Sequence, residues 1–183
     1  MKKAFFIDRD GVLNVEVDYL GDPEKMELLP GVPEAVKLLH KAGYLAVVIT
    51  NQAGIAKGYY TLENMFQVHA RMQHELLKYG QDALLDAFYH CPHHPDFTGI
   101  CQCRKPGTLM LEKAAAAFDI DLKSSFMTGD RMSDLYAGRN AGCKESCLVC
   151  TGYGRKNADA ARQEGFPAAD NFYEAVKMLL EKR

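Results

Sequence analysis

Three aspartates in this 183-residue chain stand where they could share the work of attack, proton transfer and metal binding. Asp8 and Asp10 are two residues apart, so their side chains lie on one face of an extended segment. One carboxylate could then attack an electrophile while the other transfers a proton, provided that a metal ion keeps the attacking group ionised. Asp130 would add a third hard oxygen ligand, and three such ligands with open water positions suit Mg²⁺.

Groups that could hold a phosphate occur at two further places in the sequence. Thr50 and Asn51 offer a hydroxyl, an amide and backbone N–H groups, and Lys105 offers a positive point charge. Taken singly, each acidic residue also fits a structural role, because aspartates are common in Asx turns and near helix N-termini. The complete ordered set favours a Mg²⁺-dependent, phosphate-processing site over that structural interpretation.

The pattern C-x-H-x7-C-x-C supplies four ligands for a soft metal ion, namely Cys91, His93, Cys101 and Cys103. Three thiolates and one imidazole complete a tetrahedral Zn²⁺ site, and a closed four-ligand site is normally structural. Two alternatives remain open: His94 could replace His93 as a ligand, and the segment could be a loop of reactive thiols. Arg104 and Lys105 follow the last ligand directly, so a metal that clips this loop would also position the lysine.

The composition excludes several classes of protein. The chain has 48% hydrophobic and 25% charged residues, as ordinary globular proteins have. A net charge of −2 offers no attraction for nucleic acid or an anionic membrane. The apolar runs are too short to span a bilayer, and Asp8 interrupts the N-terminal run too early for a signal peptide. We therefore expect a single cytoplasmic domain over residues 1–183, with its cysteines as metal ligands or buried thiols.

Alternating strand and helix patterns run through the whole chain. Buried strands are predicted at 4–7, 45–50, 84–90, 125–128 and 146–151, and helices at 33–42, 61–79, 108–118, 133–140 and 172–182. A polar helical connection is predicted at 156–165. This alternation predicts a doubly wound, mainly parallel α/β sheet covered by helices on both faces. The candidate residues follow three of the strands, and the carboxyl ends of such strands are where α/β proteins bind ligands.

The ordered set resembles the motifs of the haloacid dehalogenase superfamily of phosphohydrolases. The matching residues are Asp8-x-Asp10-Gly11, Thr50, Lys105 and Gly129-Asp130-x-x-x-Asp134. The resemblance implies that Asp8 is the nucleophile and that Asp10 is the general acid and then the general base. It also implies Mg²⁺ binding by Asp8, the backbone carbonyl of Asp10 and Asp130. Thr50 and Lys105 would hold the phosphoryl oxygens, and Asp134 would orient a metal-bound water or Lys105.

The stretches 6–14, 50–56, 91–95 and 101–106 narrow the resemblance to one subfamily. They are similar to the phosphatases that remove the 7-phosphate of D-glycero-D-manno-heptose 1,7-bisphosphate during synthesis of nucleotide-activated heptose for surface glycans. Histidinol-phosphate phosphatases share these motifs and remain the alternative, and the preferred heptose anomer stays open. A non-catalytic zinc-stabilised binding module is disfavoured, because Asp8, Asp10, Lys105 and Asp130 are all present.

The short segments after the first two strands leave no room for a large cap domain, so the site is expected to be open. Substrate contacts are expected from short loops: Glu16, Val17, Asp18 and Tyr19; Thr50, Asn51, Gln52 and Ala53; and Arg104, Lys105 and Arg131. Two arginines suit a second phosphate, which mildly favours the sugar bisphosphate over a cationic histidinol phosphate.

Several other residues are expected to have structural roles. Cys143, Cys147 and Cys150 are expected to be buried thiols, with Cys147 and Cys150 on opposite strand faces. His69 and His74 are spaced too poorly on their helix to share a ligand. Residues 152–155 are either a mobile loop at the site or a plain connection. We expect a monomer, because no apolar interface stripe remains once the core is assigned.

Overall fold

The computed structural model describes residues 1–181, and its centre is one sheet of six parallel strands. The strands are β1 (Lys3–Ile7), β2 (Tyr44–Asn51), β3 (Ala87–Cys91), β4 (Phe126–Gly129), β5 (Glu145–Val149) and β6 (Ala168–Ala169). Their order is β3-β2-β1-β4-β5-β6, and neighbouring strands pair in parallel. The chain first builds outward from β1 to β3 and then returns to the other side of β1. This reversal creates a switch point between β1 and β4, where ligands bind in such sheets.

Helices cover both faces of the sheet, as predicted for a doubly wound α/β fold. They are α1 (Val32–Lys41), α2 (Ala53–Ala56), α3 (Leu62–Leu77), α4 (Pro95–Thr98), α5 (Leu109–Phe118), α6 (Met132–Ala141), α7 (Gly154–Gln163) and α8 (Phe172–Glu181). Short 3₁₀ turns lie at Pro23–Lys25, Gln81–Ala83 and Leu122–Ser124. Neither the segment after β1 nor the segment after β2 forms a cap domain.

Alternate residues of β1 enter two separate cores. Phe5 and Ile7 pack in the larger core with residues of α1, α3 and α8, whereas Ala4 and Phe6 pack on the other face with residues of α5 and α6. All four side chains are fully buried. A strand that is apolar on both faces is the pattern of a central parallel strand, and this one fixes the position of Asp8 at its carboxyl end.

The predicted elements are confirmed, with differences at their ends. The third strand begins at Ala87 rather than at 84, because the side chain of Gln73 bonds the backbone of Leu85 and ends a 3₁₀ turn there. Leu62 and Phe66 share the helical spacing of the apolar residues of α3, but both are more than 40% exposed. The connection predicted at 156–165 is α7, which begins at Gly154. Residue 182 of the last predicted helix lies outside the described residues.

None of the helices within residues 1–181 combines the length and the apolarity that crossing a membrane requires.

Candidate active site

The predicted site residues gather around one cleft of about 440 Å³ at the carboxyl edge of the sheet. Its lining includes Asp8, Asp10, Glu16, Val17, Asp18, Tyr19, Asn51, Gln52, Ala53, Arg104, Lys105, Arg131 and Asp134. Leu20, Tyr60, His94, Ser133 and Tyr153 also line it. Thr50 and Asp130 are buried behind this surface, at 1% and 0% exposure. The loops that follow β1, β2, β3 and β4 therefore converge on one site.

The ammonium of Lys105 contacts three parts of the chain: Asp8 after β1, Asp134 in α6 and the backbone of β2. Its ammonium lies 2.8 Å from Asp8 Oδ1 and 2.7 Å from Asp134 Oδ1, and it donates to the carbonyl of Ile49 at 2.7 Å. Burial by itself would lower the pKa of Lys105, but the charges of Asp134 and Asp8 outweigh it, and the pKa is raised. A charged lysine therefore lies beside the carboxylate of Asp8 in a buried site.

Asn51 fixes the backbone of that lysine. Its Oδ1 accepts from the N–H of Lys105 at 3.0 Å, and its Nδ2 donates to the carbonyl of Lys105 at 3.3 Å. The neighbouring Thr50 hydroxyl accepts from Gln52 Nε2 at 2.7 Å. The end of β2 thus positions Lys105 through a side chain, while Thr50 faces the same buried network as Gln52.

Asp8, Asp130 and Asp134 form a cluster with the chemistry of a divalent cation site. Each offers a carboxylate oxygen, and these oxygens lie within 4.8 Å of one another. Asp130 Oδ2 accepts from the backbone N–H of Tyr153 at 2.7 Å, whereas its buried Oδ1 has no hydrogen-bond partner among residues 1–181. A buried oxygen without a partner is costly unless a cation or water meets it. The residues present therefore fit Mg²⁺.

Burial and mutual repulsion perturb these carboxyl groups. Burial raises the pKa of Asp8 to about 6, against the opposing charge of Lys105. Burial, followed by the charges of Asp8 and Asp134, raises the pKa of Asp130 to about 8. Both groups therefore hold protons more tightly than an ordinary aspartate, and a bound cation would lower both pKa values.

Asp10 lies in a different electrostatic environment from Asp8. Its carboxylate accepts hydrogen bonds from Arg9, from Asn14 Nδ2 at 3.1 Å and from Gln52 Nε2 at 2.9 Å. Burial would raise the pKa of Asp10, but Arg9 and the other donors outweigh it, and the pKa is lowered. The two aspartates of the motif therefore lie in different electrostatic surroundings, which raise the pKa of Asp8 and lower that of Asp10.

The loop at residues 16–19 and the two arginines, Arg104 and Arg131, all line the cleft. Burial and the charge of Asp10 raise the pKa of Glu16 to about 7, although Arg131 opposes the shift. The guanidinium of Arg131 lies 3.8 Å from the centre of the Tyr153 ring. Arg104 donates to the carbonyl of His93 at 3.3 Å, which joins it to the cysteine loop.

The predicted soft-metal ligands also come together. The ligand atoms of Cys91, His93, Cys101 and Cys103 lie within 4.8 Å of one another, with individual separations of 2.7–3.7 Å. Thiolates around a tetrahedral Zn²⁺ lie roughly 3.8 Å apart, given Zn–S bonds of about 2.3 Å. His94 is not part of the cluster: its Nδ1 accepts from the N–H of Asp96 at the start of α4. The four residues fit zinc.

The remaining cysteines do not form another cluster within the described residues. Cys147 is fully buried, as expected, but Cys143 and Cys150 are only partly buried. The prediction was wrong for these two because α6 ends before Cys143 and β5 ends before Cys150. Burial of its sulfur nevertheless raises the pKa of Cys143 to about 12.

The sequence reasoning missed two contributors to the site. Arg9 is fully buried and contacts Asp10, which the presence of a cation between two candidate carboxylates could have indicated. The loop at residues 152–155 supplies the Tyr153 N–H to Asp130. No side-chain pattern indicates such a backbone donor, so the sequence alone does not decide between a mobile loop at the site and a plain connection.

Known proteins that resemble this chain in sequence are hydrolases, and the similar relatives are phosphatases. A family model described as HAD-hydrolase-like matches residues 102–175. A D-glycero-beta-D-manno-heptose-1,7-bisphosphate 7-phosphatase of Pasteurella multocida is 42% identical over 156 residues, which are 83% of this chain and 84% of that protein. A D-glycero-alpha-D-manno-heptose-1,7-bisphosphate 7-phosphatase of Photorhabdus laumondii is also 42% identical, over 82% of this chain and 84% of its own length.

A solved structure extends the likeness to the fold. It is the D,D-heptose 1,7-bisphosphate phosphatase of B. bronchiseptica in complex with magnesium and phosphate. Its TM-score is 0.88 at 33% identity, and the match covers 99% of each chain.

Proposed function

The chain belongs to the D-glycero-D-manno-heptose-1,7-bisphosphate 7-phosphatases, which are phosphoric monoester hydrolases of the haloacid dehalogenase superfamily, and we propose that it removes the 7-phosphate of that bisphosphate. The observation that carries the proposal is the placement of Asp8. Its carboxylate lies on the cleft, 2.8 Å from the Lys105 ammonium and in one cluster with Asp130, whose Oδ1 lacks a partner. A nucleophile, a fixed positive charge and a cation site thus meet where a phosphoryl group would bind.

In the first step, a carboxylate oxygen of Asp8 attacks phosphorus. The bond between phosphorus and the C7 oxygen breaks, and the leaving alkoxide takes a proton from Asp10. Lys105 and the Thr50 hydroxyl bind the phosphoryl oxygens as negative charge develops on them. Because the free site holds Asp10 as a carboxylate, it takes up the proton that it donates from solvent when the negatively charged phosphate group binds and raises its pKa.

In the second step, water attacks the phosphorus of the aspartyl-phosphate. Asp10 takes the proton of this water, the bond from phosphorus to Asp8 breaks, and inorganic phosphate leaves. The hydrogen bonds that favour the carboxylate form of Asp10 suit this step directly.

We propose that Asp8, the backbone carbonyl of Asp10 and Asp130 bind Mg²⁺, which neutralises charge on the phosphoryl group when it is bound. Asp134 Oδ1 lies 2.7 Å from the Lys105 ammonium, which supports a role in orienting the lysine. We also propose a structural Zn²⁺ at Cys91, His93, Cys101 and Cys103, because a closed set of three thiols and one imidazole leaves no position for substrate.

The cleft offers contacts for the rest of a bisphosphate. Arg104 and Arg131 line it and suit the 1-phosphate, while Glu16, Asp18 and the Tyr19 hydroxyl suit sugar hydroxyl groups. The acidic pair also suits the ammonium group of histidinol phosphate, so that substrate remains the second candidate. Relatives named for each heptose anomer are equally similar to this chain, and the proposal covers both.

We place this activity in the synthesis of nucleotide-activated heptose for surface glycans. A cytoplasmic setting fits the metal cluster, because thiol ligands stay reduced there. We propose that residues 1–183 act as one phosphatase domain and as a monomer, since a single chain supplies Asp8, Asp10, Lys105 and Asp130 to the site. The partner is a small phosphorylated sugar, with no nucleic acid or membrane.

The test is phosphate release in Mg²⁺ from both anomers of heptose 1,7-bisphosphate and from histidinol phosphate. We expect a higher kcat/KM for one heptose anomer, and loss of that activity in Asp8→Asn, which also excludes a contaminating phosphatase. A higher kcat/KM for histidinol phosphate would keep the chemistry and overturn the substrate assignment. Retained activity in Asp8→Asn would overturn the mechanism.

A further inference from the structure

A buried hydrogen-bond network surrounds the carboxylate of Asp10. Arg9 is fully buried, although its neighbours in sequence, Asp8 and Asp10, both line the cleft. The guanidinium Nη2 lies 2.9 Å from each carboxylate oxygen of Asp10, and Nε donates to Oδ1 at 3.2 Å. Nη2 also donates to Gln52 Oε1 at 3.1 Å. Gln52 in turn donates to Asp10, which closes a ring of three side chains.

His69 completes this network from a distant helix. Its Nε2 lies 3.2 Å from Arg9 Nη1, although the two residues are 60 positions apart in the sequence. The imidazole stacks on the ring of Phe88 in β3, with centroids 4.5 Å apart and planes inclined by 22°. Burial and the charge of Arg9 lower the pKa of His69 to about 3, so the ring is neutral and its Nε2 can accept from the guanidinium.

We propose that Arg9 and His69 are positioning residues that fix the Asp10 carboxylate for proton transfer to the leaving oxygen. The inference rests on the proposed function. A carboxylate on a short side chain can rotate, and proton transfer depends on its distance and direction to the reacting atom. The guanidinium of Arg9 fixes the plane of the Asp10 carboxylate through Nε and Nη2. His69 fixes the guanidinium in turn by accepting a hydrogen bond from its Nη1. Both residues act only through Asp10, so neither is expected to contact substrate.

Three variants separate this role from a general effect on folding. His69→Phe keeps an aromatic ring to stack on Phe88 but removes the acceptor for Arg9, whereas His69→Gln restores an acceptor. Arg9→Lys keeps a positive charge but loses the planar fork. The matched control is His74→Phe, the same substitution on the same helix at an exposed position.

The readout is kcat/KM for two substrates whose leaving groups differ. The C7 alkoxide of heptose 1,7-bisphosphate needs a proton from Asp10, whereas p-nitrophenolate leaves from p-nitrophenyl phosphate without one. We expect Arg9→Lys to lower kcat/KM by about 10²-fold for the sugar phosphate and by less than about 10-fold for the aryl phosphate. His69→Phe should lower kcat/KM for the sugar phosphate by about 10-fold and change kcat/KM for the aryl phosphate less. His69→Gln should recover most of the activity that His69→Phe loses on the sugar phosphate.

An equal loss on both substrates in Arg9→Lys and His69→Phe would overturn the proposal, because misfolding affects both reactions alike. So would unchanged kcat/KM in His69→Phe. If His69→Phe does not fold, the leaving-group selectivity of Arg9→Lys decides the question. If the wild type does not hydrolyse heptose bisphosphate, the proposed function fails separately, and the comparison is made with the alkyl phosphate that it does hydrolyse.

Discussion

At the scale of single residues, two glycines allow the catalytic loops to approach Asp130. Gly152 has a φ of +52°, and a Cβ built there would overlap Asp130 Oδ2 and lie 2.7 Å from the Cα of Gly11. The next residue, Tyr153, donates its N–H to the same oxygen. The absence of a side chain at position 152 is therefore what lets the backbone orient a proposed metal ligand.

Gly152→Ala is expected to weaken Mg²⁺ binding by about 10–100-fold, as changes that disturb a ligand's supporting hydrogen bond do. The added methyl group must push Asp130 away from Tyr153 or force the two loops apart. The measurement is calorimetric titration with Mg²⁺, together with phosphate release at saturating Mg²⁺.

Gly165→Ala is the matched control for backbone strain. Gly165 also has a positive φ, of +78°, but a Cβ there would have nothing within 4 Å. Both variants suffer the left-handed backbone penalty of about 1–2 kcal/mol, and only Gly152→Ala adds the clash. Equal Mg²⁺ affinity in the two variants would show that the approach to Asp130 does not matter.

The catalytic residues were predictable where burying their charged side chains would be unfavourable without a partner. Asp8 and Asp130 could be found because charges directly after buried strands need partners, and the strands converge at one edge. Lys105 does not follow a strand directly and could be found from its charge and its place in the ordered motif. The bond from Tyr153 was not predictable, because it is made by a backbone N–H that every non-proline residue carries. The contact of His69 with Arg9 was not predictable either, because it depends on how α3 packs.

At the scale of elements, the loop from Cys91 to Lys105 has two separate anchors. The cysteine–histidine cluster joins the end of β3 to residues 101–103, and Asn51 at the end of β2 bonds the backbone of Lys105. Arg104 lies between these anchors and reaches back to the carbonyl of His93. Two residues of the proposed phosphate site therefore depend on the geometry of this loop.

Cys101→Ala is expected to lose bound zinc and to lower kcat/KM by about 10²-fold, because small displacements of catalytic groups have effects of that size. Asn51 still holds Lys105, so the activity should fall without vanishing. Zinc content by mass spectrometry, limited proteolysis and phosphate release measure the three consequences. Proteases should cut within residues 92–104 before the rest of the chain unfolds.

Cys143→Ala is the control, since Cys143 lies outside the cluster. It should keep zinc, protease resistance of the loop and activity. A zinc-free Cys101→Ala protein with wild-type kcat/KM would refute the positioning role of the metal.

The longer elements were predictable because their apolar periodicity extends over several turns or strand residues. The elements missed, α2, α4 and β6, have four, four and two residues, too few to show a period. The exposure of Leu62 and Phe66 has a related cause. They lie in the first turns of α3, where Met65 is buried and Leu62 and Phe66 are not, so helical spacing alone does not reveal their environment.

At the scale of the whole molecule, the fold concentrates acidic groups at one edge of the sheet. Asp8, Asp130 and Asp134 are buried together there, with Lys105 as the cation in contact with two of them. Such an arrangement opposes folding when all three carboxylates are ionised and no divalent cation is bound. The stability of the molecule should therefore report on the state of the site.

We expect the Mg²⁺-free protein to lose stability as the pH rises from about 4 to about 8. The pKa values of Asp8 and Asp130 are about 6 and about 8 in the folded protein, above the usual 3.8, so the folded state binds more protons than the unfolded state across that window. Stability from these groups is thus full below about pH 4 and is lost as each deprotonates. Mg²⁺ should restore this stability, most strongly at high pH, where the carboxylates bind the cation without displacing protons.

Thermal unfolding across this pH range with and without Mg²⁺ measures both effects. Asp130→Asn, whose side chain cannot ionise, should flatten the upper part of the profile of stability against pH. A Mg²⁺ stabilisation that stays constant from pH 5 to pH 8.5 would contradict the assignment of Asp130 as a protonated ligand in the free protein.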